Sequence, residues 1–278
     1  MEKVNRLGWA AGLSLKTYGV RIGIRANNAQ TLERMLAALP PDWKVSSQPV
    51  VERLYSVIAD GAIATQDGKS RVRRFNLLYG DWTRLARSLE ADQVFEALEN
   101  DMQLYVAEHA PRRVFVHAGV VAWDGQAIVV PGRSFTGKTT LVTALVQAGA
   151  TYYSDEYAVL DAQGRVHPYA RPLSIRGAPT EKPTRHSAAS LGGRVGRQPL
   201  PVGLVVLSEY KDKGKWKPRQ VSAGQGALGL LANTVSARRQ PETVMATLQQ
   251  VVPYARILQG VRGDAQETAQ AILRSMGA

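Results

Sequence analysis

Cysteine is missing altogether from the 278 residues of this chain. Its absence rules out disulfides, cysteine-ligated zinc and a thiol nucleophile, and it fits a reducing compartment, here read as the cytoplasm. Long apolar runs are missing too, for no stretch approaches the 18 or more residues that a membrane span needs. The one imitation of a targeting segment lies in residues 1–15, where Lys3 and Arg6 precede Leu7-Gly8-Trp9-Ala10-Ala11-Gly12-Leu13. That stretch is short, broken by glycine and without a small-residue cleavage site, so it is read as mature protein with no membrane partner. Acidic residues are scarce beside basic ones, 23 against 35, which leaves a formal charge of +12 and a surface that attracts anions. Aromatics make up only 7 %. The interleaving of aromatic and basic side chains that a nucleic-acid surface asks for is confined to residues 211–219, around Lys215-Trp216-Lys217. Gly214 and Pro218 mark that stretch as a hairpin tip or a positively charged flap, and nucleic acid is not the expected partner.

What is present is more specific. Gly132-Arg133-Ser134-Phe135-Thr136-Gly137-Lys138-Thr139 fits G-x-x-x-x-G-K-[ST], the phosphate-binding loop pattern. A chain of this length meets it by accident about once in a hundred. In such a loop the backbone N–H groups cradle phosphates, a lysine reaches the β- and γ-phosphates and a hydroxyl ligates Mg²⁺. The flanks supply the required context. Gln126-Ala127-Ile128-Val129-Val130 reads as a buried strand, while Leu141, Leu145 and Ala148 recur at helical spacing up to Gly149. A helix starting there turns its positive end toward the anion. The bland alternative is a glycine turn that only caps a helix. Phe135 stands where a small residue is more usual, so a nucleotide must accommodate its ring or stack on it.

Two domains are expected, a small α+β unit over 1–111 and a nucleotide domain over 112–278. In the first, residues 18–25 alternate like a strand, and Leu32, Met35, Leu36 and Leu39 share a helix face that Pro40-Pro41 closes. Residues 54–59 and 71–79 read as strands, and Val94, Phe95, Leu98, Met102, Tyr105 and Val106 as a core-facing helical stripe. In the second, residues 114–121 form an apolar strand, and Asp124-Gly125 is a two-residue hairpin signal. The strand entering the loop therefore pairs antiparallel with the one before it. Residues 241–250 read as a helix, 254–261 as a strand, and Asp264 caps a final helix carrying Ala269, Ile272, Leu273 and Met276. The Gly-, Pro- and Arg-rich residues 178–199 read as a long loop and a candidate lid.

A Mg-nucleotide site needs a carboxylate, and phosphoryl transfer to a hydroxyl needs a proton acceptor. Asp155 and Glu156 end a strand-like run one element after the loop helix. Adjacent strand residues face opposite ways, so the two can divide duties only at a strand end or bend. His117 lies in the strand that the hairpin brings beside the loop. The other histidines, His109, His167 and His186, are read as surface residues. Arg171 and Arg176 flank a short strand-like segment, Arg262 precedes the final helix, and each is a candidate for holding phosphate oxygens.

Together, His117-Ala118-Gly119, the hairpin, the 132–139 loop and Ser154-Asp155-Glu156 resemble the bacterial HPr kinase/phosphorylase family. The resemblance covers residues 114–177, about a quarter of the chain. It implies an α/β P-loop domain of the HPr kinase/phosphoenolpyruvate-carboxykinase-like type with a mixed sheet, using ATP and Mg²⁺ to transfer the γ-phosphoryl group to a serine. Under it, Gly132, Arg133, Ser134, Phe135, Thr136, Gly137, Lys138, Thr139 and Thr140 surround the nucleotide. Thr139, Asp155 and Glu156 are the metal candidates, Asp155 is base or metal ligand, His117 supports the acids and Arg176 stabilises charge. Several positions depart from the family. Asp155-Glu156 replaces two aspartates, Thr139-Thr140 replaces Ser-Glu, and Ser174-Ile175-Arg176-Gly177 has serine where the family's phosphorolysis segment has glutamate. The N-terminal unit also differs. The chain is more similar to the divergent HPr-kinase-like proteins found beside peptide-modification genes, some of which phosphorylate a precursor-peptide serine in lasso-peptide pathways. The expected partner is a peptide or protein with an acceptor serine, and self-association is left open. The competing readings are a small-molecule alcohol kinase, a carboxykinase-like ATPase and a non-catalytic nucleotide-sensing module.

Overall fold

In the computed structural model the chain forms two units, Met1–Pro111 and Arg112–Ala278, each with its own sheet and both of mixed α/β composition. Described are residues 2–59, 63–64, 71–72, 75–132, 136–175 and 184–277, without the side chains of 2, 3, 63, 64, 71 and 72. No helix among them is long and apolar enough to cross a membrane.

The first unit opens with α1 (Glu2–Asn5), β1 (Ala11–Thr17) and β2 (Val20–Ala26). Tyr18 and Gly19 both take positive φ, 48° and 92°, and turn β1 back on β2 as an antiparallel hairpin. Helix α2 (Ala29–Ala37) starts where Asn28 Oδ1 accepts the Thr31 N–H at 2.7 Å, and it ends before Pro40-Pro41. Then follow β3 (Lys44–Val45), β4 (Arg53–Ile58), the paired β5 (Ile63–Ala64) and β6 (Arg71–Val72), β7 (Asn76–Gly80), β8 (Thr83–Ser88) and α3 (Ala91–His109). The sheet order is β3-β1-β2-β4-β7-β8, and only β2–β4 is parallel, because α2 makes the crossover between them. Val94, Leu98, Met102 and Val106 recur every four residues and bury one face of α3. The strand expected over 71–79 is two elements, β6 and β7.

The second unit begins with β9 (Val114–Trp123) and β10 (Gln126–Pro131). Asp124 and Gly125 turn between them at φ of 47° and 73°, and Gln126 pairs with Trp123 in the antiparallel register the turn dictates. The chain continues through α4 (Lys138–Gln147), β11 (Thr151–Ser154), β12 (Tyr157–Leu160), β13 (Arg165–His167), β14 (Leu173–Ile175) and β15 (Thr184–His186). It ends with β16 (Leu200–Tyr210), β17 (Arg219–Gln220), α5 (Ala223–Leu231), α6 (Pro241–Gln249), β18 (Arg256–Arg262) and α7 (Ala265–Met276). The main sheet runs β10-β9-β12-β13-β16-β18-β17, with β11 also on β9 and β10 also on β16. Pairings of β10 with β16 and of β16 with β18 are parallel, so the C-terminal ends of these three strands gather at one end of the sheet.

Alternation along β9 feeds two cores. Val114, Val116, Ala118, Val120 and Ala122 join Leu230, Val244 and Leu248 of α5 and α6. Val121, from the other face, packs with Ile128 and with Leu141, Val142 and Leu145 of α4 and Ile272 and Leu273 of α7. The segment expected as a long loop and lid is anchored at several points where it is described. Residues 184–186 pair with β14, the Tyr152 N–H bonds the Arg194 carbonyl at 2.7 Å, and the Tyr153 hydroxyl bonds that of Gln198 at 2.8 Å. The Gly196 N–H also bonds the Tyr152 carbonyl at 2.8 Å, and between these anchor points residues 187–199 are mostly irregular, as their composition suggests.

Candidate functional site

Strand β9 sets the floor of the candidate site. Its period of two places His117 on the same face as Gly119 and Val121, the face that carries α4. Gly119 lets the helix approach closely, since a Cβ there would lie 2.4 Å from Val142 Cγ2 and 4.0 Å from Lys138 Cβ. The hairpin then returns the chain past His117, whose carbonyl accepts the Gly132 N–H at 3.0 Å. Helix α4 starts at Lys138 from Gly137, which sits in the left-handed region at φ 78°, and no side chain caps it. Helices α2, α5 and α7 are each capped by their own Asn28, Ser222 or Asp264. The first-turn N–H groups of α4 lack that side-chain acceptor, and the positive end of the helix adds to their pull on an anion.

The acids enter at a break in one strand. Strands β11 and β12 both pair antiparallel with β9, opposite residues 120–122 and 114–117 respectively, with a register shift at Tyr153. Between them the chain bends, and Ser154 Oγ holds the bend by accepting the N–H groups of Glu156 at 3.1 Å and Tyr157 at 2.9 Å. The bend separates the two carboxylates. Asp155 is buried, only 5 % exposed, whereas Glu156 is exposed. Asp155 Oδ2 accepts the Thr139 hydroxyl at 3.4 Å, and Oδ1 lies 3.0 Å from the Tyr152 hydroxyl. That hydroxyl is also 2.8 Å from the Arg171 carbonyl, so one phenolic proton faces two acceptors.

Burial dominates the electrostatics. It pushes Asp155 above the usual carboxylate range, against hydrogen bonds from Tyr152, the Ser174 backbone and Thr139 that favour the anion. It pulls Lys138 below the ordinary ammonium value, while Glu156 and Asp155 work to keep the charge. His117 is lowered first by burial and then by Lys138, against a hydrogen bond that its ring donates to the Glu156 backbone carbonyl, so its imidazole is neutral near pH 7. Its ring lies 4.7 Å from that of Tyr157. Among the described residues no three His, Asp or Glu side chains converge as a metal cage. The pairing of the Thr139 hydroxyl with the Asp155 carboxylate nevertheless suits Mg²⁺, which takes few protein oxygens and completes its shell with phosphate and water.

The structure brings His117, Lys138, Thr139, Asp155 and Glu156 together, with Gly132, Thr136 and Gly137 beside them. Thr140 is exposed on the first turn of α4. Arg133, Ser134, Phe135 and Arg176 lie outside the described residues. Tyr152 and Ser174 reach Asp155 without having been singled out for it, and only the apolar–polar pattern of the 151–156 strand could have hinted at Tyr152. Arg262 ends β18, ahead of α7, and it reaches the loop. His167 is half-buried rather than freely exposed, with its Nε2 2.9 Å from Oδ2 of the buried Asp161.

Charge is divided unevenly. Residues 112–278 hold 21 Lys and Arg against 10 Asp and Glu, and residues 1–111 hold 14 against 13. The second unit thus carries nearly all the excess. Part of it lines a cavity of about 350 Å³ where Lys215, Trp216 and Lys217 face Glu267 and Arg274 of α7. No family model and no curated protein matches the chain, so the resemblance to HPr kinases rests on the motifs quoted above.

Proposed function

We propose that the second unit is an HPr-kinase-like P-loop domain that transfers the γ-phosphoryl group of ATP to a hydroxyl, with a serine of a peptide or protein as the favoured acceptor. The observation that carries the reading is the Thr139–Asp155 contact beneath the uncapped start of α4, where the charges of both acids act on Lys138. The N–H groups of α4 and the Lys138 ammonium bind the β- and γ-phosphates. Thr139 and Asp155 would hold Mg²⁺, which when bound supplies positive charge against the phosphate oxygens. Glu156, exposed beside the buried Asp155, is the carboxylate an incoming acceptor can reach. It takes the hydroxyl proton as the acceptor oxygen bonds to the γ-phosphorus and the bond to the β–γ bridging oxygen breaks, releasing ADP. His117 stays neutral and positions the acid-bearing bend through the Glu156 backbone.

The test is γ-labelled ATP with Mg²⁺, incubated with serine-containing peptides, small alcohols and a cell lysate. Wild type is expected to label a peptide or protein, and Lys138→Ala is expected to lose the transfer while keeping its circular dichroism spectrum. Label appearing only in free phosphate points to an ATPase, and label on a small alcohol to a metabolite kinase. Transfer persisting in a folded Lys138→Ala protein would remove the assignment.

A further inference from the structure

We infer that Arg262 is a positioning residue of the glycine loop: its guanidinium grips the peptide between Thr136 and Gly137 and so sets the direction of the Gly137 N–H. The inference rests on the reading of the α4 N-terminus as a phosphate site, and it concerns what shapes that site before a ligand arrives.

Arg262 is the last residue of β18. Parallel pairing with β16, in which Arg262 lies opposite Tyr210, carries it to the sheet end where β10 delivers the loop. It is almost wholly buried, at 2 % exposure. Its Nη2 donates to the Thr136 carbonyl at 2.7 Å and its Nε to Ser208 Oγ at 3.3 Å, and its Cζ stands 5.5 Å from the centre of the Tyr210 ring. No carboxylate among the described residues pairs with it. A buried guanidinium without a counter-ion is costly, and burial here pulls its pKa down. An apolar side chain would fill the same space without that cost, so the contact to the loop calls for an explanation beyond packing.

Peptide geometry supplies one. In a planar trans peptide the carbonyl and the following N–H point in opposite directions. Holding the Thr136 oxygen therefore turns the Gly137 N–H away from the guanidinium. Gly137 is matched to this grip. It takes φ 78°, and a Cβ on it would lie 2.7 Å from Arg262 Nη2. The unbalanced positive charge behind the loop also favours an anion in front of it.

The test uses the full chain and a non-hydrolysable ATP analogue with Mg²⁺. Wild type, Lys138→Ala, Arg262→Gln and Arg262→Lys are compared by calorimetry and by amide hydrogen exchange of the ligand-free proteins. Arg262→Gln is expected to bind the analogue about tenfold to a hundredfold more weakly, the scale of one charge-assisted hydrogen bond. Its Gly137 amide is expected to exchange faster with no ligand present. Arg262→Lys, which keeps the charge but not the planar fork, should recover only part of the affinity, and it also serves as the readout if the glutamine variant does not fold. Affinity and Gly137 exchange within twofold of wild type in a folded Arg262 variant overturn the inference alone. Failure of wild type to bind the analogue, or undiminished binding by Lys138→Ala, overturns the phosphate-site reading and this inference with it.

Discussion

Gly119→Ala should unseat helix α4. The glycine lies opposite Val130 in the β9–β10 ladder, on the face that packs against α4. A methyl there stands 2.4 Å from Val142 Cγ2, where ordinary contact begins at 3.4 Å, so the two must part by about 1 Å. The strand gives little, because β9 is hydrogen-bonded to β10 on one side and to β11 and β12 on the other. Val142 gives little either, being wholly buried among Leu141, Leu145, Val121 and Ile128. Overpacking of this kind costs about 1–3 kcal/mol. In a unit of this size each kcal/mol moves Tm by about 2–4 °C, so a fall of roughly 2–12 °C is expected. Val142→Ala opens the space the methyl needs at the cost of a small cavity. In a double-mutant cycle read by urea unfolding, the pair should be less destabilised than the sum of the singles by about 1 kcal/mol or more. An unchanged midpoint for Gly119→Ala, or strict additivity in the cycle, would show that α4 does not depend on this approach.

Two further substitutions probe the buried acids. Asp161 is buried, and although burial works against its ionisation, hydrogen bonds from His167 and from the N–H groups of Arg165 and Gln163 hold it below the usual carboxylate range. A depressed carboxylate contributes stability above its unfolded pKa of about 3.9 and loses it as pH falls through the lower folded value. Asp161→Asn should therefore cost about 1–3 kcal/mol at pH 7, and its deficit against wild type should shrink below about pH 4; a deficit independent of pH would exclude the ionised form as the source. Tyr152→Phe removes the hydroxyl shared by Asp155 and the Arg171 carbonyl. It should destabilise by about 1–3 kcal/mol in thermal unfolding and weaken Mg²⁺-dependent turnover more than Mg²⁺-free nucleotide binding, whereas equal losses in both would mark a purely structural tyrosine.

What could be read from the sequence was what the chain encodes locally. Asp124-Gly125 fixes a hairpin because both residues accept positive φ, and Asp264 caps α7 because its carboxylate reaches the Glu267 N–H three residues on. Strand β16 and helix α5 went unread for a local reason too. Pro201 and Gly203 dilute the strand signal, and Gly224, Gly226 and Gly229 dilute the helical one, while packing against Ile257 and Leu207 settles both. Residues 187–199 are largely the irregular segment their polar composition announces, but the points where Arg194, Gly196 and Gln198 bond β11 carry no sequence signal.

The site divides along the same line. Lys138 and Thr139 declare themselves because the G-x-x-x-x-G-K-[ST] pattern fixes their place after the glycine turn. Asp155 and Glu156 were legible as a pair, but their separation into one buried and one exposed acid depends on the Ser154-held bend, which no spacing rule contains. Arg262 is 126 residues from the carbonyl it binds, and only the parallel register of β16 with β18 brings it there. A local motif can specify where the donors of a phosphate loop lie along the chain. It cannot specify what stands behind them and fixes their direction, and in this fold that support comes from the far end of the sheet sequence. Substitution at Arg262 should therefore disturb a loop whose own sequence remains intact.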